Sequence, residues 1–214
     1  MNLLIKSGNQ QLERILKNFD RHNIFIKDEI TEKNLSNTDC LIILSSLKDC
    51  SDTEELNLKI QDIYNTLSLC VERDIKKVIM VSTLELLDYT ESYTVTENWK
   101  PNPKSDLFNL SVNLSEMVFK EFGRTFSFQK ILLRVGFPID NQENIDNNFK
   151  CFTEKGDLIN CISRILKINF KNHFEIFHLQ SDSENQRYLT SKLNNIESLS
   201  LSIDDDFYYP RKKL

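Results

Sequence analysis

Ser82 and Thr83 place two adjacent hydroxyls at the end of the apolar run Val78-Ile79-Met80-Val81. At a strand's end such a pair reads most simply as a polar terminus or a helix cap. A second polar group lies on Phe108-Asn109-Leu110-Ser111-Val112-Asn113-Leu114-Ser115-Glu116, where Ser111 and Glu116 are the side chains able to do chemistry. On a helix, Phe108 and Val112 share one face, and that face is apolar. Arg134 closes another apolar run and reads as half of a structural ion pair. His22, His173 and His178 are scattered, and the spacing of the last two suits neither strand nor helix ligation, so no metal is expected. The five cysteines, Cys40, Cys50, Cys70, Cys151 and Cys161, are odd in number and contain no Cys-x-x-Cys pair. Zinc sites and disulfide frameworks are therefore poorly supported. Reduced, mostly buried thiols in a cytoplasmic protein are the expectation.

These residues need a scaffold, and the hydrophobic pattern supplies one. Leu3-Leu4-Ile5, Ile24-Phe25-Ile26, Asp39 to Ser45, Lys76 to Thr83, Ser127 to Arg134 and Phe174 to Leu179 read as strands. Helical spacing appears at Leu12, Ile15, Leu16 and Phe19, over 53–73 with Thr53 as the N-cap, over 106–123 ending near Gly123, and from Asp157 to Leu166. A long connection at 84–104 carries Pro101 and Pro103, an Asn-rich loop fills 140–150, and the tail from Asn194 reads as irregular. Alternation of strand and helix predicts an α/β fold, Rossmann-like and doubly wound, with a mostly parallel sheet. The 214 residues suit a single domain, with its core over about 1–180 and a short appendage at 181–214. A net charge of −5 gives no global attraction for nucleic acid or anionic membrane. The basic end Arg211-Lys212-Lys213 and the acidic Asp204-Asp205-Asp206 read as solvated. Met1 to Lys6 is too short and too soon polar for a signal peptide, and no apolar run approaches the roughly 20 residues of a membrane helix. Glycine is scarce, with 4 in 214 residues, which limits the number of tight phosphate-binding loops.

Phe108 to Glu116 resembles the catalytic helix of the extended short-chain dehydrogenase/reductases, the NAD-dependent epimerase/dehydratase family, whose pattern is Tyr-x-x-Ser-Lys-x-x-x-Glu. Ser111 and Glu116 stand in frame, with Phe108 at the Tyr and Val112 at the Lys. Asp39 to Ile43, Ile75 to Thr83, Thr96-Glu97 with Pro101 and Pro103, and Ile131 to Arg134 resemble further blocks in the family's order. The region that would be its larger C-terminal lobe is reduced here.

The resemblance implies an NAD(P)-binding Rossmann-like domain. In the family the Tyr moves a proton and the Lys lowers its pKa and holds the cofactor ribose. Phe108 and Val112 do neither. Thr83, with Ser82 as the near alternative, aligns with the hydroxyl that bonds the substrate. Glu85 is a candidate acid or base, although Leu84 occupies the partner position. Tyr89 and Tyr93 lack a Lys four residues on. Lys59 falls where the family often has Asn. The phosphate-loop glycine positions hold Ser7, Gln10 and Glu13, with Gly8 one place off. Glu13 adds negative charge where a pyrophosphate would sit, which argues against ordinary dinucleotide binding. Asp28 falls at the position that contacts the cofactor ribose if NAD or NADP binds, and otherwise reads as a polar strand end.

Together these residues imply a non-catalytic homologue acting as a binding or scaffolding module. Its expected partners are a second copy of the chain or another protein, through helices 53–73 and 106–123, or a nucleotide-sugar ligand. The alternative is an atypical, active NAD(P)-dependent epimerase, dehydratase or reductase. A third reading is a regulator that binds NAD(P) as a signal without turnover.

Overall fold

Cys40-Leu41-Ile42-Ile43-Leu44 is buried at every position, as a strand covered on both faces must be. In the computed structural model, which describes residues 1–19, 22–45, 50–87, 94–139, 151–181 and 187–200, this segment (β3) lies inside a six-stranded sheet. The other strands are β1 (Asn2–Lys6), β2 (Asn23–Lys27), β4 (Lys77–Thr83), β5 (Gln129–Val135) and β8 (Phe174–Leu179). Their order is β2-β1-β3-β4-β5-β8, and every pairing is parallel. The order reverses between β1 and β3, which makes the carboxyl ends of those strands the topological switch point, where open α/β sheets hold ligands.

Helices α1 (Gln10–Leu16) and α5 (Lys155–Lys167) cover one face, over a core that includes Leu12, Ile15, Ile162, Ile165, Ile79 and Leu133. Helices α3 (Thr53–Glu72) and α4 (Leu107–Thr125) cover the other, over Ile63, Leu67, Met80, Phe119 and Leu132. The short helices α2 (Glu32–Leu35) and α6 (Ser191–Asn194), and a small parallel pair, β6 (Phe137–Ile139) with β7 (Phe152–Glu154), are additions that the hydrophobic pattern does not announce. They are too short to show a period.

Two helix boundaries differ from the sequence expectation. The α3 cap is Asp52, not Thr53, because its carboxylate accepts from the Glu55 N–H at 2.8 Å. Gly123 does not end α4 but lies inside it, where a Cβ would come within 2.7 Å of the Phe174 ring. It is there for close packing. Tyr89, Tyr93, the 140–150 loop, Asp204-Asp205-Asp206 and Arg211-Lys212-Lys213 lie outside the described residues.

Candidate functional site

In the β1–α1 turn, side chains of the turn and of α1 take up the Ser7 hydroxyl and the Gly8, Gln11 and Leu12 N–H groups. Asn9 caps α1, its side chain accepting from the Gln11 and Leu12 N–H groups at 2.8 and 3.0 Å. Glu13 turns back so that its carboxylate accepts from the Ser7 hydroxyl at 2.6 Å and the Gly8 N–H at 3.2 Å. Gly8 has no positive φ. It is needed because a Cβ there would lie 2.1 Å from the Leu44 carbonyl oxygen. Its backbone is pressed against the end of β3. Gln10, at the second glycine position, is exposed on the first turn of the helix. A dinucleotide's pyrophosphate does not fit this arrangement: the donors that would meet it already hold a carboxylate, and its charge would face that carboxylate.

The hydroxyl end of β4 is tied into the fold. Ser82, Arg134 and His178 face one another across β4, β5 and β8, as register partners on neighbouring strands. Glu116 of α4 closes over that row. It accepts from the Ser82 hydroxyl at 2.8 Å, and from Arg134 Nε and Nη2 at 2.9 and 2.7 Å. Lys120, one turn on, donates to it at 3.2 Å. Burial pushes the Glu116 carboxyl up, but the Arg134 hydrogen bonds and charge, with Lys120 and Ser82, outweigh that and hold it below its usual range. Thr83 Oγ1 accepts from the Glu85 N–H at 3.2 Å, so it caps the 3₁₀ turn Leu84–Leu87, and Glu85 itself is exposed. Val112 is fully buried and Phe108 half-buried.

Above this row sits an apolar plug. Leu84, Leu87, Val95 and Tyr188 form their own buried cluster, joined by Trp99 and Cys151. Val95 and Tyr188 pair as a β-bridge, and the Tyr188 ring stands edge-on to His178 at 6.1 Å. Burial, with the nearby Arg134 charge, drives the His178 pKa down to about 3, so the ring is neutral near pH 7.

A cleft of about 260 Å³ remains at the switch point, between α3, α4 and the ends of β1 and β3. Asp28, Lys59, Ser7 and Gly8 line it together with Ser111. Lys6 is buried at its floor, where Nζ donates to the Asp28 carbonyl at 2.9 Å and pairs with Asp62 at 2.7 Å. The structure thus brings Ser7, Gly8 and Asp28 to one cleft, and sets Ser82, Thr83 and Glu85 apart from it at the end of β4. Sequence reasoning missed Asn9, Lys6 and the Glu13 contact. Of these only Asn9, a cap residue directly before an apolar helical pattern, carries a legible signal.

The same architecture occurs among solved structures. The chain superimposes on a UDP-N-acetylglucosamine 4-epimerase from Bacillus cereus with a TM-score of 0.71 and 15% identity, over 94% of this chain and 93% of that one. For the uronate dehydrogenase of Agrobacterium tumefaciens the values are 0.75 and 13%, over 94% and 84%. The chain shares the Rossmann-like α/β fold of these structures. A UDP-glucuronic acid 4-epimerase from Bacillus cereus, solved in complex with NAD, shares that fold at a TM-score of 0.69 and 12% identity, over 95% and 92% of the two chains. No protein-family model matches the chain. No curated protein matches it by sequence either. Among the described residues no group of His, Cys, Asp and Glu is arranged to hold a metal, and no helix is long and apolar enough to cross a membrane.

Proposed function

We propose that this chain is a degenerate member of the extended short-chain dehydrogenase/reductases that has left hydride chemistry and serves as a binding or scaffolding module. The observation that carries the proposal is the state of the β4 terminus. Ser82 donates its hydrogen bond to Glu116, Thr83 is used as a cap, and Phe108 and Val112, on one face of α4, offer neither proton nor charge. The Glu13 contact in the turn supports the same conclusion for the cofactor, since NAD or NADP would meet a carboxylate where it needs donors.

The test is to restore the relay with Phe108→Tyr and Val112→Lys and to follow reduction of NAD and NADP with sugar and nucleotide-sugar substrates. No turnover above the wild-type background is expected, because the turn still rejects the pyrophosphate. Measurable turnover by the double variant, or by the wild type, contradicts the proposal.

We also propose that the module pairs with a second copy through the outer sides of α3 and α4. Leu58 and Tyr64 of α3 and Met117 of α4 are 59%, 55% and 53% exposed. Sedimentation at micromolar concentration should give a dimer that Met117→Glu converts to monomer; a monomeric wild type contradicts this. The cytoplasm, where the free thiols stay reduced, is the compartment we propose.

A further inference from the structure

The cleft at the switch point has its hydrogen-bonding capacity committed in one direction. Ser45 donates its hydroxyl proton to the Val81 carbonyl at 2.8 Å, Ser111 to Phe108 at 2.9 Å, and Ser115 to Ser111 at 2.7 Å. A hydroxyl that has spent its proton keeps its lone pairs, so all three serines remain as acceptors. The cations are committed too. Lys6 is held by Asp62 and the Asp28 carbonyl, and the Lys59 charge acts on Glu55. Asp28 adds a third carboxylate, so two lysines stand against three acids around the opening. In the adjoining turn the Ser7 and Gly8 donors belong to Glu13, and those of Gln11 and Leu12 to Asn9.

A ligand for such a cleft must therefore bring donors. A phosphate or carboxylate, all acceptor, finds almost nothing to accept from and a net negative rim. Pockets for drug-sized molecules span about 300–1,000 Å³. At about 260 Å³ this cleft suits something smaller than a dinucleotide. We propose that it binds a small, donor-rich, phosphate-free compound of the polyol or amino-sugar class, which reverses the anion preference that this fold's switch point usually shows. The proposal rests on the binding-module reading and names the ligand class of that module.

The test follows melting of the full chain with glucosamine, myo-inositol, glucose 6-phosphate and NADH at matched concentrations. A compound present at about ten times its dissociation constant should raise the melting temperature by roughly 2–4 °C in a saturable way. We expect that rise with glucosamine or inositol and none with the phosphorylated compounds. Asp28→Lys, a change at an exposed position, should weaken the glucosamine response about tenfold, and Ser115→Leu, which fills the cleft, should abolish it. A larger rise with glucose 6-phosphate or NADH overturns the proposal. So does a flat response to both unphosphorylated probes, or a glucosamine response that Asp28→Lys leaves unchanged. A turnover assay with NAD and NADP run alongside separates the two levels: cofactor reduction by any of these compounds would refute the binding-module reading, whereas a flat response without turnover refutes only the ligand class.

Discussion

Glu116 and His178 set how the protein should respond to acid. The Glu116 carboxyl is held below its ordinary range, so in the folded chain it resists protonation where an unfolded glutamate accepts a proton, near pH 4.3 or so. Its contribution to stability is complete above that pH and is lost as pH falls through and below it. His178 acts at higher pH. Its folded pKa of about 3 lies below the ordinary 6.5, so only the unfolded chain takes up the proton between these values. Stability therefore falls progressively as pH drops from 6.5 toward 3. Urea melts from pH 7 downward should show this decline, and His178→Leu should flatten its upper part. At neutral pH, Arg134→Met leaves Glu116 buried without its main partner and should cost about 3–5 kcal/mol. Arg134→Met with Glu116→Leu should cost less than the sum of the single changes, which equilibrium unfolding of the three variants can measure. The ion-pair role of Arg134 is legible in its place at the end of an apolar run. Its partner is not, because nothing in the spacing between Glu116 and Arg134 shows that α4 lies across β5.

At the scale of elements, two lysines at the starts of adjacent strands cap helices on opposite sides of the sheet. Lys77 Nζ reaches the carbonyls of Ile165, Leu166 and Ile168 at 2.8, 3.4 and 2.6 Å, at the carboxyl end of α5. Lys130 Nζ reaches the Phe126 carbonyl at the end of α4 and lies 3.9 Å from the centre of the Phe128 ring. Burial lowers both amines, Lys130 to about 8. Lys77→Met should leave those helix-end carbonyls without their donor and cost about 1–3 kcal/mol, read as a lower urea midpoint with an unchanged slope. Gly123→Ala should cost a similar amount, about 1–3 kcal/mol, since Phe174 must shift to admit a methyl. The strands and the long helices were legible because their apolar residues repeat with period 2 or 3.6 over enough residues. The lysine caps were not, because a lysine opening a strand looks like any polar boundary, and its use depends on a helix distant in sequence.

At the scale of the whole molecule, the alternation of strand and helix was enough to expect a parallel, doubly wound sheet, and the observed strand order agrees. The candidate site was legible only in part. Ser7, Gln10 and Glu13 could be placed at the β1–α1 turn, and Phe108 and Val112 on one face of α4, from the strand and helix pattern alone. Their surroundings were not legible, because they depend on contacts between distant segments: the Glu116–Arg134 pair, the cluster of Leu84, Leu87, Val95 and Tyr188, and the cleft between α3, α4 and the ends of β1 and β3. On the proposed reading, the Glu13 carboxylate on the Ser7 and Gly8 donors closes the turn between β1 and α1 to dinucleotides. Calorimetric titration of NADH and NADPH into the wild-type protein tests it most directly. No saturable binding up to millimolar cofactor is expected, and saturable binding with a micromolar dissociation constant would contradict it.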